Sequence, residues 1–116
     1  MAASNNETRD TELIRHMKRY CEDAMEAVSL AKTEDTFSAS RVYQHAVAMC
    51  VLEIGELAKH LSEDFLHEHA EIPWRLISRM RDMYAHHYHA TDVHRLWITA
   101  LEDLPELMRF CETILQ

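Results

Sequence analysis

Turn-forming residues are scarce in this sequence, which has one glycine and two prolines among 116 residues. All-β folds use turn residues freely, so this scarcity favours long helices with few connections. No stretch contains the roughly 18 apolar residues that a membrane-spanning helix needs. The first ten residues, MAASNNETRD, lack the apolar centre of a signal peptide. We therefore expect an all-α, cytoplasmic protein with no membrane partner.

Paired cysteines are also lacking. Cys21, Cys50 and Cys111 are an odd number at wide spacing, with no CxxC pair. Each lies among apolar residues, which predicts buried free thiols in a reducing compartment.

Positive charge is in deficit as well, because the net charge is −8. This balance argues against a general nucleic-acid coat protein, whose affinity comes from neutralising phosphates. Residues 73–95 reverse it locally, with four arginines and four histidines against two aspartates. A small positive site on an acidic body suits a focused anionic ligand better than a long polyanion.

Apolar residues recur every three or four positions and predict four helices at about 11–32, 40–66, 74–88 and 92–115. Residues 1–10 are expected to be flexible. Residues 11–116 are expected to form one domain, a compact bundle of four to five mostly antiparallel helices. The segment TEDTFS breaks the apolar periodicity of the first helix. Ser38 or Ser40 is a predicted N-cap of the second helix, and Thr91 or Asp92 is a predicted N-cap of the fourth. Pro105 is predicted to kink or split the last helix.

Gly55 lies inside the second predicted helix, where glycine costs about 1 kcal/mol relative to alanine. Close approach of another helix is the usual reason to tolerate that cost. Glu56 follows it, and because glutamate is rarely buried unpaired, we expect it to meet an arginine or a helix N-terminus.

The segment RDMYAHHY, residues 81–88, combines residue types that could carry chemistry. On a regular helix Arg81 and Tyr88 share nearly one face, whereas Arg81 and His86 lie about 140° apart. The arginine and this histidine converge only if the helix loosens near Ala85 or if two copies meet across a dimer.

These residue types match metal-independent RNA cleavage. A histidine can take the 2′-hydroxyl proton or protonate the leaving 5′-oxygen, and an arginine can hold the phosphate and stabilise the charge that develops on it. The non-catalytic alternative is that a histidine at a helix end interacts with the helix dipole and that the arginine lies nearby by chance. The spacing alone does not decide between them.

The wider sequence resembles the HEPN superfamily, specifically its HepT-like toxin branch. The family signature R-x4-H-x-Y is matched by Arg81, His86 and Tyr88. Three further segments resemble the branch: VLEIGELAKHL, IPWRLISRMRDMYAHHY and DVHRLWITALEDLP. The resemblance spans roughly residues 11–115.

The resemblance implies a HEPN bundle that dimerises so that two motifs flank one cleft, and an RNA-cleaving toxin that needs no cofactor. RNA is the expected substrate and DNA is not expected. The implied partner is an MNT nucleotidyltransferase antitoxin, which neutralises the toxin by transferring AMP to the motif tyrosine, here Tyr88. The added phosphate would occupy a cleft meant for RNA and repel it.

Two features leave alternatives open. The family usually has asparagine where this chain has Asp82, whose carboxylate would repel RNA unless it pairs with Arg79, Arg81 or a histidine. His87 with Arg81, or His86 with Arg79, satisfies a looser motif, but Arg81 with His86 alone preserves the tyrosine register. Glu56 could support the arginine.

Other function classes are a catalytically weak or inactive helical module that binds the nucleotidyltransferase, and a metal-dependent hydrolase. The latter would use ligands from HHYHATDVH, namely His86, His89, Asp92 and His94. Their spacing is irregular and no cysteine is near, so no native metal is expected.

Overall fold

The computed structural model describes residues 2–116, with side chains from residue 5 onward. The described residues are helical without any strand, which confirms the predicted all-α fold. The helices are α1 Ala2–Ala31, α2 Glu34–Ala39, α3 Arg41–Lys59, α4 Glu63–Glu68, α5 Trp74–His86, α6 Val93–Ile98 and α7 Leu104–Ile114. A 3₁₀ turn at Tyr88–Ala90 follows α5, and a π-helical segment at Thr99–Asp103 joins α6 to α7.

The long helices pack antiparallel around α3, which lies between α1 and α5. The start of α1 meets the end of α3, because Asp10 accepts hydrogen bonds from the backbone N–H and the hydroxyl of Ser62 at 2.9 and 2.6 Å. The end of α5 runs back along α3, since Gly55 faces Arg81. None of the helices in residues 2–116 is both long and apolar enough to cross a bilayer.

The predicted free thiols are confirmed in the core of this bundle. Cys21, Cys50 and Cys111 are buried and unpaired with one another. Burial raises the pKa of Cys50 to about 11 and the pKa of Cys111 to about 12, so both thiols stay protonated at neutral pH.

Two helix boundaries differ from the sequence prediction. The predicted helix over 40–66 is two helices: α3 ends at Lys59, and Ser62 caps α4 by accepting from the Phe65 N–H. Asp10 holds this serine in place from 52 residues away, a contact that local periodicity cannot reveal. The first helix begins at Ala2 rather than at residue 11, and Asp10 is buried. Flexibility of the first ten residues stays a prediction.

The predicted break at TEDTFS contains a short helix, α2, which Thr33 caps and which buries Phe37 completely. Other predicted boundaries are confirmed: Ser40 caps α3, Asp92 caps α6, and the last helix is split before Pro105. Proline has no N–H for the preceding turn and its ring crowds that turn, so a wider π-helical turn accommodates it.

Candidate functional site

The motif segment remains a regular α-helix as far as His86. His87 then leaves the helix with φ −135° and ψ 37°, and its N–H bonds to the Met83 carbonyl at 2.7 Å. The helix does not loosen at Ala85. Arg81 and His86 therefore project from α5 about 140° apart. Within one chain the two side chains have different surroundings.

Arg81 faces α3, at the point where Gly55 lets the two helices come together. A Cβ built on Gly55 would lie 2.2 Å from the Arg81 Cβ and 2.9 Å from the Ile77 carbonyl oxygen. Real carbon atoms pack at about 3.5–4.0 Å, so any larger residue would push α5 away. The predicted close approach at Gly55 is confirmed, and the helix that approaches is the one that carries the motif.

Two carboxylates flank the Arg81 guanidinium. Nε lies 3.1 Å from Glu56 Oε2, but the N–H is not aligned with that oxygen and makes no hydrogen bond in the described part of the chain. Nη1 donates a hydrogen bond to Asp82 Oδ1 at 3.3 Å. The prediction that Glu56 meets an arginine is confirmed, and the arginine belongs to the motif. The guanidinium is held by charge more than by hydrogen-bond geometry.

The Asp82 carboxylate is paired with two basic side chains. Lys59 Nζ, at the end of α3, donates to Asp82 Oδ1 at 2.6 Å. This hydrogen bond, together with the one from Arg81, holds the pKa of the Asp82 carboxyl below its ordinary value. The sequence interpretation missed Lys59. Its only sequence signal is its place one helical turn after Glu56, because residues three apart lie on the same side of a helix.

These contacts join five side chains from α3 and α5 in one charged row. His60 Nε2 lies 3.3 Å from Glu56 Oε1 and extends the row at one end. The order is His60, Glu56, Arg81, Asp82, Lys59, so basic and acidic side chains alternate along it. We call this set the charged row.

The three other basic side chains proposed for the motif lie outside the charged row. Arg79, His86 and His87 are exposed, and their side chains make no hydrogen bond or ion pair with any residue from 5 to 116. His86 ends α5 and is open to solvent. The structure thus brings Arg81 together with Asp82 and Glu56, two contacts that the sequence left open, but it does not bring either histidine to Arg81. The choice between His86 and His87 stays a prediction.

Tyr88 lies just past the helix end, half-buried against α3. Its ring centroid is 5.5 Å from that of His45 and 6.4 Å from that of Tyr84. Burial raises the pKa of the Tyr88 phenol, so the hydroxyl keeps its proton at neutral pH. The two tyrosines line a shallow apolar groove with Met49 and Leu52 of α3. Tyr88 therefore lies between side chains of α3 and α5.

The histidine-rich segment has separate partners. His94 Nδ1 lies 2.6 Å from Glu34 Oε2 of α2, and this contact raises the pKa of His94. Asp92 instead caps α6 by accepting from the Arg95 N–H at 3.2 Å. Residues 5–116 contain no group of three or more side chains placed to share a metal ion. The ligand set considered from the sequence is therefore not assembled in the chain.

Comparison with known proteins identifies the family of the chain. Residues 13–114 match the family model described as Ribonuclease HepT-like. The chain is 41% identical over 100 residues to "Probable ribonuclease HepT" of Thermococcus cleftensis, which covers 80% of this chain and 90% of the relative. It is 33% identical over 103 residues to "Putative RNase TTE0752" of Caldanaerobacter subterraneus subsp. tengcongensis, covering 89% of this chain and 91% of the relative. No solved structure matches significantly. Since the family match includes the motif and nearly all of the bundle, the chain belongs to the HepT-like family of the HEPN superfamily.

Proposed function

We propose that this protein is a metal-independent endoribonuclease whose active sites form between two copies of the chain. The observation that carries the proposal is the placement of Arg81 and His86 on one unbroken helix, about 140° apart. One chain cannot direct both side chains at the same phosphate. A second copy, related by a two-fold axis, can place its His86 opposite the first copy's Arg81. The family match supports RNA as the substrate.

The reaction we propose is transfer of the phosphodiester to the neighbouring 2′-oxygen. One imidazole removes the 2′-hydroxyl proton as the oxygen attacks phosphorus, and the P–O5′ bond breaks as the leaving oxygen takes a proton from an imidazolium or from water. The products are a 2′,3′-cyclic phosphate and a 5′-hydroxyl. His86 serves as base or acid, and the Arg81 guanidinium stabilises the extra negative charge on the phosphoryl oxygens.

The homodimer is supported by apolar side chains exposed beside the motif. Val42 and Met49 on α3 are 76% and 56% exposed, and Met83 on α5 is 38% exposed. Met49 borders the groove that Tyr88 lines. Large apolar side chains exposed on both helices that border the groove are consistent with an interaction surface. A two-fold contact there would bring each Arg81 near the His86 of the other copy.

We also propose that the protein is the toxin of a HEPN–MNT system, controlled by AMP transfer to Tyr88. The phenol oxygen would bond to the α-phosphorus of ATP, pyrophosphate would leave, and the phenolic proton would pass to a base. Burial raises the pKa of Tyr88, so the transfer needs a base, and we propose that the nucleotidyltransferase partner supplies it. The attached phosphate would place negative charge where RNA approaches Arg81.

Complementation between two inactive variants tests the shared site directly. Arg81→Ala and His86→Ala should each lower the rate of RNA cleavage about 100-fold or more, while folding and dimerisation persist. When the two variants are mixed and exchange subunits, they form heterodimers. In each heterodimer one site keeps both Arg81 and His86. About a quarter of the wild-type activity should return, since half of the dimers are mixed and each has one intact site.

The controls are each variant mixed with itself, and wild-type cleavage in EDTA, which should be unchanged. The products should carry 2′,3′-cyclic phosphate, and growth arrest on expression should be lost in both variants. No recovery in the mixture would show that the two residues act from the same subunit. Full activity of both single variants would refute their catalytic roles.

A second candidate is a binding module without nuclease activity. It is favoured by the two carboxylates that offset the charge of Arg81. Protein that leaves every tested RNA intact but binds the nucleotidyltransferase would support this alternative.

A further inference from the structure

One oxygen of the charged row is held by two cations from different helices. Lys59 Nζ of α3 and Arg81 Nη1 of α5 both donate to Asp82 Oδ1, at 2.6 and 3.3 Å. Two basic side chains that converge on one anionic oxygen have the arrangement in which proteins bind phosphate. In the chain by itself a carboxylate takes that position.

An incoming anion can replace the contact between Lys59 and Asp82. The Lys59 side chain is 36% exposed and that of Asp82 is 52% exposed. Exposed ion pairs add little to stability, so the fold does not depend on keeping this one. Arg81 is different, because its Nε edge lies against Glu56 while its Nη1 edge faces Asp82. If Asp82 moves away, Glu56 still positions the guanidinium and leaves the other edge for a ligand.

We propose that Lys59 is a second phosphate-binding residue of the RNA site. In the free protein Asp82 accepts hydrogen bonds from both Lys59 and Arg81, and an RNA phosphate displaces its carboxylate when RNA binds. The proposal rests on the proposed ribonuclease function. It gives the aspartate at this position a role, because the carboxylate competes with RNA for two cations and so weakens binding without removing either cation. Lys59 then contacts the substrate, rather than only neutralising Asp82.

The alternative is that Lys59 does no more than neutralise Asp82. Substitutions in combination separate the two roles. If Lys59 only neutralises Asp82, then Lys59→Ala should weaken RNA binding in the wild-type chain and have no effect once Asp82 is asparagine. If Lys59 contacts phosphate, its removal should weaken binding in both backgrounds.

The experiment measures the binding of a short, mixed-sequence RNA with 2′-O-methyl groups, which the proposed reaction cannot cleave. Affinity is followed by fluorescence anisotropy over a series of salt concentrations, for wild type, Lys59→Ala, Asp82→Asn and the double variant. Lys59→Ala should weaken binding about tenfold in each background. It should also lower the slope of log K against log salt by about 0.7, because one phosphate contact is lost. Asp82→Asn should bind more tightly than wild type.

Lys18→Ala is the matched control. Lys18 forms an exposed pair with Glu22 on α1 at 3.4 Å and is 33% exposed, so its removal deletes a comparable charge and contact outside the charged row. Its affinity and salt slope should stay near the wild-type values. Thermal unfolding of each variant checks folding, and Lys59→Arg should retain most of the affinity.

Three results would overturn the proposal. They are an unchanged salt slope in Lys59→Ala, loss of the Lys59→Ala effect in the Asp82→Asn background, and weaker binding of Asp82→Asn alone. Any of these, with RNA cleavage that still depends on Arg81 and His86, rejects the role of Lys59 and leaves the ribonuclease function intact. A wild-type protein that neither binds nor cleaves RNA rejects both.

Discussion

Replacement of Gly55 by alanine tests whether α3 and α5 really touch at the motif arginine. On an exposed helix face this substitution stabilises by about 1 kcal/mol, because alanine has the higher helix propensity. Here the new Cβ would lie 2.2 Å from the Arg81 Cβ and 2.9 Å from the Ile77 carbonyl oxygen. Neither atom can rotate aside, so α5 has to move by roughly 1 Å or more to restore normal carbon contacts.

Such overpacking costs about 1–3 kcal/mol, and contacts with backbone and with a Cβ put this site toward the upper end. After the propensity gain, we expect Gly55→Ala to destabilise the fold by about 1–2 kcal/mol and to lower Tm by roughly 3–8 °C. The shift of Arg81 should also slow RNA cleavage at temperatures where the variant is fully folded, since a misplacement of about 1 Å can cost 100-fold.

Thermal unfolding followed by circular dichroism measures the change in stability. Ala46→Gly is the matched control, because Ala46 is exposed on the same helix and reports propensity alone. It should destabilise by about 1 kcal/mol. A higher Tm for Gly55→Ala would mean that propensity outweighs contact, and the close approach of the helices would be refuted.

Three further predictions concern the rest of the fold. Asp10→Ala should lower the free energy of unfolding in urea by about 1–3 kcal/mol, because Ser62 loses both hydrogen bonds, and a change below about 0.5 kcal/mol would contradict this. Glu34 raises the pKa of His94 above 6.5, so the pair stabilises at acidic pH and that contribution is lost as pH rises through the folded-state pKa. Glu34→Gln should therefore lower Tm at about pH 5.5 and leave it nearly unchanged at about pH 8.5. The cysteine thiols, buried and with raised pKa values, should resist an aromatic disulfide reagent in the native protein, and all three should react in guanidinium, whereas rapid native reaction would show that the core opens.

Much of the fold could be predicted because the sequence signals of a helix lie within the helix itself and at its ends. Periodic apolar residues located the long helices, and short-range chemistry located the caps at Ser40 and Asp92. The errors had non-local causes. Asp10, far away along the chain, binds the Ser62 that caps α4, and the short helix α2 buries Phe37 although its other residues are not buried.

The candidate site shows the same division. Sequence reasoning selected Arg81, His86 and Tyr88 from their spacing and from the family signature, and it anticipated that Gly55 and Glu56 would meet another element. It named Arg81 as one possible partner of Glu56 but could not choose it over another arginine or a helix N-terminus. Lys59 was not predicted, because it joins the site only when α3 and α5 lie side by side. Lys59 and its partner Asp82 are 23 residues apart in the chain.

By itself, the sequence determined the helical class, the positions of the long helices, the buried thiols and the family, because each depends on residues near one another in the chain or on a motif of fixed spacing. Only the tertiary structure decided that Arg81 lies between two carboxylates, that Lys59 and Arg81 share one oxygen of Asp82, and that His86 stands apart at the helix end. These facts depend on the distance between helices and on the direction in which each helix face turns. Gly55 permits the close approach, which the sequence indicated, but only the tertiary structure shows that the approaching helix is α5 and that Arg81 is the residue at the contact.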